Sequence, residues 1–385
     1  MTTDPDRASN SLSPGTLTLI GSGEMTAAMG KVHREVMAKV HGSLHAVFLD
    51  TPAGFQLNAD DLSARAVDYF RGRLGVELSV VSFKSAATAS AETVSAALAA
   101  LSHANYIFAG PGSPSYAVRQ WQASPIGPAL RQRFAAGAHV VLASSAAIAA
   151  SRHVLPVYEI YKVGEEPRWI EGLDLLGPYG IELAIVPHWN NREGGTHDTR
   201  YAYMGEPRLR VLEEMLPENA VILGIDEYTA CIVDLDHGTC RVMGAGGVTV
   251  RQKGRERFFG RGSRFSVDWL SRGLEAQVID LQHVEHLRAT PAPHAKPPAP
   301  ERPEDLPLHR NDEPLQHMDE PERPSLETPL VDLLVHIRAQ LRRDQQWTLA
   351  DDIRRRLADL GIILEDGREG TSWRKSPDVR AKTGR

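Results

Sequence analysis

Val140-Val141-Leu142-Ala143-Ser144-Ser145-Ala146-Ala147-Ile148-Ala149-Ala150-Ser151 reads as a buried strand that breaks at small residues and reopens as an alanine-rich helix. A serine at such a corner fits a nucleophile elbow, a sharp strand-to-helix turn whose positions two before and two after the serine must be small. Ala143 and Ala147 hold those positions around Ser145. The same residues also read as an ordinary strand running into a helix with Ser144 as its N-cap.

Outward from this corner, short apolar runs alternate with helical patterns over residues 16–287. Candidate strands are Leu17–Gly21, His45–Asp50, Glu77–Phe83, Tyr106–Ala109, His139–Ala143, Ile181–Pro187, Val221–Ile225 and Cys231–Asp234. Amphipathic segments at Leu62–Leu74, Ala91–Ser102 and Pro207–Leu216 fill several gaps. This alternation predicts an α/β fold, a mostly parallel sheet with helices on both faces. Ligands then bind beyond the carboxyl ends of the strands, where Gly21, Thr51, Gly110, Ser145 and His188 fall.

The chain has 385 residues, room for one large domain or two to three small ones. Hydrophobic content of 42% and charged content of 24% are those of a globular protein, and the net charge of −6 gives no sign of general nucleic-acid affinity. Two cysteines, Cys231 and Cys240, imply no disulfide framework and exclude a cysteine-rich zinc site. The stretch 1–15 is polar, without the apolar core of a signal peptide, and is expected to be disordered. No run reaches the length of a transmembrane helix, so a cytoplasmic location is expected.

Residues 288–327 hold ten of the 25 prolines and a charge balance of 5 − 9 = −4, which predicts an extended linker. Helical periodicity returns over 328–375, at Val331, Leu334, Val335, Arg338 and Leu341 and again at Leu349, Ile353, Leu357 and Leu360. With Asp344-Gln345-Gln346 as the turn and Gly361 as the stop, it predicts a small helical hairpin. Residues 376–385 form a tail, and from 328 onward the balance is 12 − 9 = +3.

A neutral serine hydroxyl needs a base and an orienting acid. His188 follows the run Ile185-Val186-Pro187 and opens a polar loop; Asp226 and Glu227 close another strand. Each also reads plainly, as a loop histidine and a solvated turn pair. In order along the chain, Leu19-Ile20-Gly21-Ser22-Gly23-Glu24, Phe108-Ala109-Gly110-Pro111-Gly112, the Ser145 elbow, His188, and Gly224-Ile225-Asp226-Glu227-x-Thr229-Ala230 resemble the serine-peptidase family of dipeptidase E and cyanophycinase, over roughly residues 16–270. The resemblance implies a class I glutamine amidotransferase-like fold, with Ser145 as nucleophile, His188 as general base and then acid, and Glu227 as orienting carboxylate, Asp226 being the runner-up. The order Ser…His…Glu differs from that of α/β-hydrolases. The family's glycine-rich loop reads here Gly110-Pro111-Gly112-Ser113-Pro114; proline has no N–H to offer, which leaves the amides of Gly110, Gly112 and Ala146 for an oxyanion.

The loop Asn190 to Arg200 is dense in polar groups. Arg192 and Arg200 suit a substrate carboxylate, Asn190 and His197 add polar contacts, and His197 with Asp198 could replace a base or bind metal; Asx turns would equally explain the composition. No second cluster supplies further ligands, so no metal is expected. Gly21-Ser22-Gly23-Glu24 is half a dinucleotide fingerprint lacking its third glycine, and no cofactor is expected.

The segment Trp347-x-x-Ala350-Asp351-x-Ile353-Arg354-x-x-Leu357-x-x-Leu360-Gly361-Ile362-x-Leu364-Glu365-Asp366-x-x-x-Gly370-Thr371-x-Trp373 resembles the C-terminal module of cysteinyl-tRNA synthetases. The synthetase's nucleotide-binding signatures and zinc-ligand cysteines have no counterpart, so ligase activity is not implied. A tRNA or protein partner is, with Arg342, Arg343, Arg354, Arg355 and Arg356 placed for phosphates; the alternative is a solvated face paired with Asp351, Asp352 and Asp359. Together these readings predict a serine hydrolase acting on a small-molecule or peptide substrate through an acyl-enzyme. The alternatives are a noncatalytic binding protein and a tRNA-associated protein.

Overall fold

A computed structural model describes residues 13–275 and, with gaps, 331–375. The linker over 288–327, residues 1–12 and Arg343 lie outside the described residues. The chain divides into two compact units, Met1–His294 and Ala295–Arg385.

The first unit runs β1 (Leu17–Ile20), α1 (Ala27–Met37), β2 (Ala46–Leu49), α2 (Ala59–Tyr69), β3 (Leu78–Val81), α3 (Ala91–His103), β4 (Tyr106–Ala109), α4 (Pro114–Gln122), α5 (Ile126–Ala135), β5 (His139–Ala143) and α6 (Ser145–Ala149). The short strands β6 (His153–Val154) and β7 (Ile170–Glu171) follow, then β8 (Leu183–Val186), α7 (Gly205–Glu214), β9 (Val221–Ile225) and β10 (Thr229–Asp234). β11 (Thr239–Gly244), β12 (Val248–Gln252), β13 (Arg255–Phe259), β14 (Arg264–Ser266) and α8 (Asp268–Ser271) complete it.

Among the described residues the main sheet has eight strands in the order β14-β11-β10-β1-β5-β4-β2-β3. β1, β5, β4, β2 and β3 are parallel, and β10, β11 and β14 extend them antiparallel. Alternation along each strand splits the apolar residues between two faces. Leu17, Leu19, Val140, Leu142, Ile107 and Ala109 enter one cluster with Ala97, Leu101, Trp121, Leu130 and Phe134 of α3, α4 and α5. Ile20, Val141, Ala143, Tyr106 and Phe108 enter the other with Met29, Val32 and Val36 of α1 and Ala66 of α2. Helices therefore cover both faces, as the pattern of runs predicts. Ser90 and Ser113 cap α3 and α4, their hydroxyls accepting from the amides of Thr93 and Tyr116 at 3.2 Å.

Two features differ from the expectation. The strand before His188 is not in the main sheet: β8 pairs with β9 in a second sheet of order β13-β12-β9-β8. Ala184, Ile185, Leu223 and Val250 of that sheet pack into the first apolar cluster, so its strands read as buried without revealing which sheet they join. Strands β11 to β14 were not foreseen. Four of the five residues of β13 are exposed, and its charged sequence hides the alternation.

In the second unit, residues 331, 334, 335, 338, 339 and 342 are helical, and α9 (Trp347–Asp359) follows. The expected helical hairpin is incomplete as a description. After Gly361 the chain forms an antiparallel pair, β15 (Ile362–Gly367) and β16 (Gly370–Lys375), with Leu364 opposite Trp373. Val331, Arg338, Ala350, Leu357, Gly361 and Leu364 are its buried residues among those described.

Candidate active site

Ladder pairing of β5 with β1 persists to Ala143 opposite Ile20, and the next amide, of Ser144, still bonds the Ile20 carbonyl at 2.9 Å. Helix α6 begins one residue later, at Ser145. The whole change of direction falls on Ser144, which adopts φ 51°, ψ −116°. A non-glycine residue held there costs about 1–3 kcal/mol and persists only where its surroundings enforce it. The strain presents the Ser144 hydroxyl to His188, whose Nε2 lies 2.9 Å from Oγ.

Ser145, expected at the corner, is not the residue that faces His188. Its side chain is buried and its hydroxyl donates to the Gly112 carbonyl at 2.7 Å. The reason is strand length: had β5 run one residue further, Ser145 would occupy the turn. The position two before Ser144 is Leu142, which is tolerated because its side chain enters the apolar cluster; the position two after is Ala146.

Across the site, Asp226-Glu227-Tyr228 is the segment by which the chain leaves β9 of the second sheet for β10 of the main sheet. Glu227 Oε1 lies 3.0 Å from His188 Nδ1 and accepts from Asn191 Nδ2 at 3.1 Å. An ionised Glu227 makes Nδ1 the donor and leaves Nε2 free to accept the Ser144 proton. Asp226 turns the other way. Its carboxylate accepts the Gly247 amide at 2.9 Å, and burial raises its pKa. Gly21 permits this crossing to lie against the end of β1, since a Cβ there would stand 2.0 Å from the Asp226 carbonyl oxygen.

Of the amides considered for an oxyanion, that of Ala146 lies in the first turn of α6, where N–H groups have no intrahelical acceptor, and the Ser145 amide, not among them, opens the same helix. With Ser144 at the corner, the amide immediately after it is that of Ser145. A Cβ on Gly110 would make only ordinary contacts, with Phe48 at 3.7 Å and Glu24 Oε1 at 3.9 Å. Gly112 is tied on both sides: its carbonyl holds Ser145, and a Cβ would stand 1.9 Å from the Pro52 carbonyl oxygen at a φ of 155°. Gly112→Ala is therefore expected to cost about 2–3 kcal/mol, read as a fall in the urea midpoint at unchanged m-value. A midpoint equal to wild type would show that the Gly112 loop yields freely.

The polar loop divides. Asn190 is exposed and accepts the Glu227 amide through Oδ1 at 2.8 Å, so it braces the acid. Arg200 holds Asp198 through Nε and Nη2 at 2.9 and 2.8 Å. Its hydrogen bonds push the Asp198 carboxyl well below the usual range, and Asp198 also accepts the Glu206 amide in the first turn of α7. Arg200 thus fastens the loop, and its fork is already engaged. Arg192 is exposed. His197 stacks on Tyr161 at 6.5 Å, and no group of three potential metal ligands forms among the described residues. In the second unit Arg342, Arg354, Arg355 and Arg356 are exposed, and Arg354 reaches the Leu364 carbonyl at 3.4 Å.

Four site residues escaped sequence reasoning: Ser144 as the corner, Asn191, Tyr203 and Glu24. Asn191 is buried beside Glu227. Tyr203 stacks on Tyr161 at 4.9 Å and lies 6.4 Å from the His188 ring. Glu24 is buried against Gly110. Asn191, three residues after His188, and Glu24, which closes the Gly21-Ser22-Gly23-Glu24 run, lay within segments already singled out, whereas nothing in the sequence marks Tyr203.

Comparison with known proteins bears on each unit's identity. A solved structure, a peptidase from an acI-B1 Actinobacterium, superposes with a TM-score of 0.54 at 19% identity, covering 66% of this chain and 98% of that one. The family described as Cysteinyl-tRNA ligase anticodon binding domain matches residues 328–374. The cysteine–tRNA ligase of Aeropyrum pernix is 54% identical over 51 residues, 13% of this chain and 11% of that protein. That of Thermococcus gammatolerans is 52% identical over 54 residues, 14% and 11% respectively. This chain thus spans about a tenth of the length of the curated relatives it matches. No described helix is long and apolar enough to cross a membrane. The chain shares its α/β fold with a solved peptidase and carries near its C-terminus a segment similar to the anticodon-binding domain of cysteinyl-tRNA ligases.

Proposed function

We propose that this protein is a serine hydrolase of the peptidase or amidohydrolase type, with Ser144 as nucleophile, His188 as base and Glu227 as orienting acid. The observation that carries the reading is the strained Ser144 at 2.9 Å from His188, itself 3.0 Å from Glu227. Ser144 Oγ attacks an amide carbonyl while His188 Nε2 takes its proton. The oxyanion meets the Ser145 amide and the Gly110 loop. His188 then gives that proton to the leaving amine, and water, deprotonated by His188, releases the acyl group. The substrate class is a small molecule or peptide. A fluorophosphonate tests the reading: stoichiometric labelling of Ser144 supports it, and an unlabelled protein leaves a noncatalytic binding protein instead.

A second reading rests on the match of residues 328–374 to a domain described as anticodon binding. On this reading the C-terminal segment takes RNA through Arg342, Arg343, Arg354, Arg355 and Arg356, with no ligase activity. The full chain is expected to shift tRNA in a gel with an affinity that falls steeply with salt. A chain ending after residue 290 is expected to lose the shift. Equal binding by the shortened chain would remove the segment as the carrier.

A further inference from the structure

The loop leaving β1 holds a carboxyl that the hydrolytic reading leaves without a task. Glu24 is 7% exposed. Its own backbone N–H meets its carboxylate, and no other described residue is hydrogen-bonded to it. The backbone here is pinned: His33 Nε2 bonds the Glu24 carbonyl at 2.8 Å, while His33 Nδ1 meets the Tyr106 hydroxyl at 2.5 Å. Burial keeps His33 neutral, its pKa lowered to about 4. The Glu24 backbone is thus held in place, while its carboxyl is buried with its own amide as hydrogen-bond partner and the charge of His188 nearby; burial raises its pKa, so an arriving cation or donor would stabilise the ionised form.

Its surroundings define what could arrive. Glu24 lines a cleft with Phe48, Leu62, Phe108, Gly110 and Pro111, and its Oε1 would stand 3.9 Å from a Gly110 Cβ. The cleft's volume is about 20 Å³, enough for one water-sized group. Asp50 also borders it, yet that carboxylate is already satisfied by the Ser82 hydroxyl and the Phe83 amide, both at 2.8 Å. Glu24 lies close enough to His188 for their charges to interact, and the loops that form the cleft are tied to the candidate site. Ile20, just before this loop, accepts the Ser144 amide; Ser22 accepts the Tyr228 amide at 3.2 Å; and Gly112, next after Pro111, holds Ser145.

We propose that Glu24 is a specificity-determining carboxylate that receives a primary ammonium group of the acyl donor, an inference that rests on the serine-hydrolase reading. Size decides the class of cation. An ammonium head is water-sized and fits the cleft, whereas a planar guanidinium does not. The cleft holds the ammonium head alone, and the chain that carries it stays outside. Lysyl or amino-terminal groups are thus accepted and arginyl groups refused.

The test uses the full chain and three probes: n-butylamine, butylguanidine and 1-butanol. n-Butylamine is expected to slow fluorophosphonate labelling of Ser144 about tenfold, the scale of one charge-assisted contact, while the other two leave it unchanged. In Glu24→Gln the ratio of rates with and without amine is expected to fall to about one. Calorimetric titration of n-butylamine reads the same cleft without chemistry. Amine binding by wild type that is lost in Glu24→Gln supports the assignment. Absent binding, equal binding by the variant, or equal binding of butylguanidine overturns it. Lost labelling with amine binding intact would instead sink the hydrolase reading and leave the ammonium site standing.

Discussion

Ser144→Ala is expected to abolish fluorophosphonate labelling and to lower turnover of any hydrolysed substrate by about 10⁵–10⁶-fold, the loss typical of removing a nucleophile that acts as a unit with its base. Ser145→Ala is expected to keep labelling. It removes the hydrogen bond to the Gly112 carbonyl, a loss of about 0.5–1.5 kcal/mol, seen as a modest fall in stability. The contrast matters because both serines are adjacent and both sit among small residues. What separates them is geometry: Ser144 alone carries the positive φ and faces His188. Labelling that survives in Ser144→Ala and vanishes in Ser145→Ala would reverse the assignment.

The second large effect is expected at Glu227. Glu227→Gln leaves the side chain's shape but offers His188 Nδ1 an amide in place of a carboxylate, which favours the wrong tautomer and withdraws the charge that stabilises an imidazolium. A comparable substitution in a known triad lowers kcat about 10⁴-fold, and a loss of that order is expected here with little change in KM. Asp226→Asn is expected to stay within a few-fold of wild type, since an amide oxygen can still accept from Gly247. Its signature is in stability. Burial raises the Asp226 pKa above its ordinary value, so the folded state holds its proton more tightly than the unfolded state. The wild-type residue therefore costs stability as pH rises from about 3.8 through the raised pKa. Relative to wild type, Asp226→Asn is expected to gain stability over that window, read from urea midpoints between pH 4 and pH 7. A large loss of turnover in Asp226→Asn, with Glu227→Gln near wild type, would exchange the two acids.

Much of this arrangement was legible without coordinates. Each strand of the parallel core is an apolar run whose alternate residues must face opposite helical layers, so Leu17 and Leu19 part from Ile20 by the period of the pleat alone. His188 and Glu227 were legible because each follows a buried run at its carboxyl end. The tail was legible as helix up to Gly361, but β15 runs three apolar residues into Glu365 and Asp366, and β16 has Trp373 as its one large apolar residue, so neither shows the alternation of a strand. Arg200 shows the opposite failure: its composition fits carboxylate recognition, yet Asp198, two residues earlier, already occupies its fork.

Sequence by itself determined that a strand turns sharply into a helix near residue 144 and that a histidine and an acid wait at the ends of other strands. Tertiary structure alone decided which serine makes the turn, because the end of β5 is set by its pairing with β1, a partner more than a hundred residues away. It alone decided between Asp226 and Glu227, because the segment crosses from one sheet to the other and the crossing sends adjacent side chains in opposite directions. Local periodicity sets which face a residue takes. Long-range pairing sets where each strand stops, and the groups proposed to react stand at those stops.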